Sequence, residues 1–131
     1  VSTLLYAQKD IENPINFRFV CGGGAVTSAS ISECQRLVAA KSYVLLRRKL
    51  FSANLEEAVL ATIALKELVQ QQALDLSAEE QAQIRHIEVL DNPYSVCYTC
   101  TQRYEGRVKD IFKRRHNAVY SLIKFAIFKA D

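Results

Sequence analysis

Apolar residues recur at helical spacing through most of this chain and at strand spacing in one short stretch. The strand-like stretch is 15–20, Ile-Asn-Phe-Arg-Phe-Val, which follows the turn signal Asn13-Pro14 and ends at Gly22-Gly23-Gly24. A lone extended segment must either pair with residues 2–7 as a ribbon or lie on the helices.

Four main helices are expected after it. Ser30 and Glu33 have the spacing of a capping box, so the first helix is placed at 30–51. It carries two apolar stripes. Cys34, Leu37, Val38, Val44 and Leu45 form one, and Ala39, Ala40, Tyr43, Leu46 and Leu50 form the other. A helix apolar on two sides lies between neighbours. Ser52 or Asn54 is placed as the cap of a second helix at 55–72, the most apolar of the four and the expected centre of the core. Ser77 and Glu80 form a second capping box, opening a helix to about Leu90 with Ile84, Ile87 and Leu90 facing inward. Asp91-Asn92-Pro93 stops it. A last, basic amphipathic helix is expected over 101–130.

The fold class expected from this pattern is all-α. It is a compact bundle of four main helices with a short extended segment near the N-terminus, in one domain over 1–131. Composition agrees. Half of the residues are hydrophobic, and there are only four glycines and two prolines, which suits helices better than turns and strands.

Charge adds a direction. The net charge is only +3, but residues 101–131 carry eight basic and three acidic side chains, whereas 1–100 carry nine and eleven. The C-terminal quarter is therefore the part that would meet an acidic partner. Arg103, Arg107, Lys109, Lys113 and Arg114 are the candidate contact residues, with Arg47, Arg48 and Lys49 adding to them if the two helix ends meet.

Four scattered cysteines do not make a disulfide scaffold. The opening Val1-Ser2-Thr3-Leu4-Leu5-Tyr6-Ala7 has no basic start, and no apolar run approaches the ~18 residues of a membrane span. The expected setting is cytoplasmic or another reducing compartment.

Cys97-Tyr98-Thr99-Cys100 is the one local motif with a chemical reading. Two cysteines three apart can share a zinc ion, a disulfide or redox chemistry, and His86 and His116 are the nearest further ligands. Cys21 and Cys34 are the alternative pair. The reading ranked ahead of these is that both cysteines are small, half-buried loop residues with no ligand. The Cys21-Gly22-Gly23-Gly24 loop lacks the Lys-Ser or Lys-Thr of a phosphate-binding loop. Glu56-Glu57 and Glu79-Glu80 sit where helix dipoles explain them.

The expected function is non-enzymatic. The chain reads as a helical interaction, assembly or adaptor subunit with no cofactor, docking another protein or an acidic surface through its basic C-terminal helix. A small nucleic-acid-binding regulator with zinc at the C-x-x-C is the alternative. A cysteine-based enzyme or cofactor carrier ranks third.

Overall fold

The computed structural model describes residues 15–18, 28–97, 103–113 and 117–128. Along the chain the elements are β1 (Ile15–Arg18), α1 (Ala29–Ala39), α2 (Tyr43–Lys49), α3 (Leu55–Gln70), α4 (Ala78–Glu88), β2 (Pro93–Cys97), β3 (Arg103–Arg107), α5 (Val108–Lys113) and α6 (Ala118–Phe128).

Helix α3 is the centre. The Asn54 side chain accepts the backbone N–H groups of Glu56 and Glu57 at 3.0 and 3.4 Å, and these two carboxylates lie in the first turn, where the helix dipole favours them. Ten α3 side chains are buried, so its surroundings must be apolar on nearly every side. Helices α1, α2, α4 and α6 and strand β1 supply them. Helix α4 opens on the expected capping box. Glu80 N–H donates to Ser77 Oγ at 3.1 Å, and Ser77 N–H donates to Glu80 Oε1 at 2.9 Å. Ile84, Ile87 and Leu90 are buried, as their spacing predicts.

The helix expected over 30–51 is corrected to two. The break is a Schellman motif without glycine. Lys41 takes a φ of 57°, its N–H donates to Val38 O at 3.1 Å, and Ser42 N–H donates to Leu37 O at 2.9 Å. The same closure ends α3, with Gln72 at φ 62° and Ala73 N–H donating to Leu68 O at 2.9 Å. The first expected capping box is also corrected. α1 starts at Ala29, and Ser30 Oγ instead hydrogen-bonds Glu56 on α3. Tertiary packing has claimed the hydroxyl that local spacing assigned to the helix end.

The all-α expectation is corrected to a mostly helical fold with a small sheet. The sheet has the order β1-β2-β3, with β1 parallel and β3 antiparallel to β2. Strand β1 therefore pairs with a strand from the far side of four helices; residues 2–7 lie outside the described ones. The single basic helix over 101–130 is corrected as well, because its first part is β3 and α5. Arg103-Tyr104-Glu105-Gly106-Arg107 alternates exposed and half-buried positions, which is strand spacing. A Cβ at Gly106 would lie 3.0 Å from the ring of its cross-strand partner Tyr94, so a larger residue there would have to displace that ring.

Helix α6 closes the core with Val119, Ile123 and Ile127. Tyr120 Oη donates to Glu67 at 2.9 Å, Lys124 lies 3.5 Å from the same carboxylate, and the Tyr120 ring meets Phe112 edge-on at 5.9 Å. Lys66 bonds Glu88 and sits 5.6 Å over the Phe112 ring. Burial first, then the Glu67 hydrogen bond, raises the Tyr120 phenol above its ordinary range. No helix among the described residues is long and apolar enough to cross a membrane.

Candidate interaction surface

The expected contact residues now sit on a hairpin and a short helix. Arg103 and Arg107 are exposed near the two ends of β3, Lys109 is exposed in the first turn of α5, and Lys113 is exposed at its end. Arg114 lies outside the described residues. Strand pleat sets Arg103, Glu105 and Arg107 on one face, and the core claims the other through Tyr94, Val96, Ile15 and Phe17.

Carboxylates are interleaved with these cations. Arg103 Nε lies 3.6 Å from Glu105, and Lys109 Nζ lies 3.1 Å from Asp91. Arg107 Nη1 donates to the Asp91 carbonyl at 3.3 Å, while its backbone N–H donates to Asp110 Oδ2 at 3.3 Å. Two residues before Asp91, the aliphatic side chain of Val89 is 69 % exposed. The surface is thus mixed in sign. All these pairs are solvent-exposed, so each contributes little to stability and remains available to exchange for a partner's charge.

Attachment of the surface to the body is firm. Val108 N–H donates to Asn92 O at 2.9 Å and Lys109 N–H to Leu90 O at 2.8 Å. Val108 and Ile111 are fully buried, anchoring α5 against α4 and β3. Asn92 is completely buried, and neither amide atom of its side chain has a hydrogen-bond partner.

The proposed metal ligands are distributed as follows. Cys97 ends β2 and is half-buried, and His86 lies in α4 with Nε2 buried and unpaired. Cys100 and His116 lie outside the described residues. Among the described residues no three His, Cys, Asp or Glu side chains come together as a metal site. Cys34 is in the core, its Sγ 3.9 Å from Leu60 O, and burial pushes its thiol up to about 12. A thiol so protonated is not a nucleophile near neutral pH.

Val89, Asp91 and Glu105 belong to this surface; sequence reading named Asp91 only as part of a helix stop and did not name the other two. The signal for Glu105 was the two-residue alternation of 103–107, which the neighbouring basic run disguised as the start of a helix. Val89 and Asp91 carried no separate signal. Comparison with protein-family models, with curated proteins and with solved structures found no match.

Proposed function

We propose that the chain is a non-enzymatic interaction or adaptor subunit that docks an acidic protein surface through the β2–β3 hairpin and α5. One observation carries this reading. Arg103, Arg107, Lys109 and Lys113 are all exposed on one continuous strand–helix unit whose other side is anchored in the core.

The interleaved Glu105, Asp91 and Asp110 favour a protein over a nucleic acid. Each carboxylate weakens the hold on any uniformly charged polyanion, whereas a protein surface can meet both signs. Electrostatic patterning of this kind sets orientation and encounter rate more than affinity.

The test uses a fluorescent poly-glutamate peptide and a DNA duplex as probes over a salt series. Poly-glutamate should bind weakly, and binding should fade as salt screens exposed charges. Arg107→Gln together with Lys113→Gln should reduce that binding and flatten its salt dependence, with the circular dichroism spectrum unchanged. Unchanged binding in this variant, or sequence-selective DNA binding at physiological salt, rejects the reading.

A further inference from the structure

We infer that the outer edge of β3 is a docking edge for an extended peptide whose residues alternate acidic, neutral, basic, neutral, acidic, added as a further, antiparallel strand. This rests on the docking reading above and names its partner class.

The direction of the β3 backbone is the first ground. Val108 N–H donates to Asn92 O, which continues the β2–β3 register one step beyond Pro93↔Arg107. That makes 92↔108 a hydrogen-bonded pair. Hydrogen-bonded and non-hydrogen-bonded pairs alternate in an antiparallel ladder. The pairs Ser95↔Glu105 and Cys97↔Arg103 are therefore of the second kind. In such pairs the backbone N–H and C=O groups turn away from the partner strand. Those of Arg103 and Glu105 face the outer edge, where no further strand lies among the described residues. Arg107 N–H confirms the phase, since it turns from Pro93 to the Asp110 carboxylate.

The second ground is the charge order. Arg103, Glu105 and Arg107 present plus, minus, plus at alternate positions, and all three are exposed. A second copy of this edge is a poor occupant. Antiparallel pairing centred on Glu105 sets Glu105 against Glu105 and Arg103 against Arg107, like charges facing like. Edge charges normally guard a sheet against indiscriminate pairing. Here the guard has a complement: a strand reading minus, plus, minus satisfies every position, and its main chain satisfies the outward groups of Arg103 and Glu105.

Two peptides of identical composition test this. The matched probe is Thr-Glu-Val-Lys-Val-Glu-Thr, and the permuted probe is Thr-Glu-Val-Glu-Val-Lys-Thr. Both carry the same net charge, so a preference reads order alone. The matched peptide should bind about fivefold tighter or more, since two cross-strand pairs change sign between the probes. It should also slow hydrogen–deuterium exchange at the amides of Arg103 and Glu105. Glu105→Lys, at a side chain 70 % exposed, should transfer the preference to Thr-Glu-Val-Glu-Val-Glu-Thr. Equal binding of the matched and permuted probes, or no protection of those two amides, overturns the inference. If poly-glutamate binding still responds to Arg107→Gln with Lys113→Gln, the broader docking reading survives that result.

Discussion

Helix α3 hides ten side chains in the interior, whereas β3 hides none completely. The two segments are held by different means. In α3 each large apolar side chain contributes roughly 1.5–3 kcal/mol by leaving water. In β3 the backbone ladder to β2 and the anchored start of α5 hold the strand, Tyr104 reaches the core only in part, and the charged side chains of Arg103, Glu105 and Arg107 are left to solvent. Where burial holds an element, its side chains are committed to the core. Where the backbone and a neighbouring anchor hold it, the side chains are free to meet a partner.

The contrast is most exposed to a truncation experiment. Leu65→Ala or Leu68→Ala should destabilise by about 2–5 kcal/mol, because both residues are buried on the central helix and leave cavities. Glu105→Gln, on the exposed strand, should stay within about 0.5 kcal/mol. Denaturant titration of the three variants decides it. Equal losses at Leu65, Leu68 and Glu105 would erase the distinction.

A second test uses alkaline pH, which should weaken the fold through a buried thiol on helix α1. The Cys34 thiol rises from 9.0 to about 12 on folding, so the folded state holds its proton more tightly. Its contribution is therefore complete below pH 9 and is lost as pH rises towards 12, at roughly 1.4 kcal/mol per unit. Tyr120, also raised, acts in the same direction above pH 10. The stability of Cys34→Ala should fall less steeply over this window. An identical slope in wild type and variant would sink the assignment.

The smallest effect concerns helix ends. Lys41 and Gln72 occupy left-handed backbone, which costs a side-chain-bearing residue about 1 kcal/mol. Lys41→Gly and Gln72→Gly should each be neutral to stabilising by about 0.5–1 kcal/mol, against the destabilisation glycine brings to a helix interior. Melting curves that drop for both variants would mean the turns draw more from those side chains than backbone conformation explains.

These regions also differ in how well the sequence announced them. The α3 core, the Asn54 cap, the Ser77–Glu80 box and the stop at Asp91-Asn92-Pro93 depend on residues within a few positions of one another, and all were legible. Ser30 was misassigned because its hydroxyl bonds Glu56, far along the chain. The break at Lys41 was missed because neither glycine nor proline marks it. The sheet was missed because β1, legible as an extended segment, finds its partner only across α1–α4, and the alternation of β3 was taken for the start of a helix. The contact residues of β3 and α5 were named from charge alone. Their setting on a strand edge was not, because a basic run beside alternating residues fits both periods.

The parallel pairing of β1 with β2 has a consequence during synthesis. Ile15 leaves the ribosome long before Tyr94, its partner, exists. At ~5–20 residues per second the wait is several seconds. Through it, Phe17, fully buried in the finished fold, has no β2 to shelter it. Helices α3 and α4, built from local contacts, can form meanwhile and present an apolar surface to hold β1. The edge strand that we assign to a partner is then the last strand of the sheet to be made, ahead of α5 and α6.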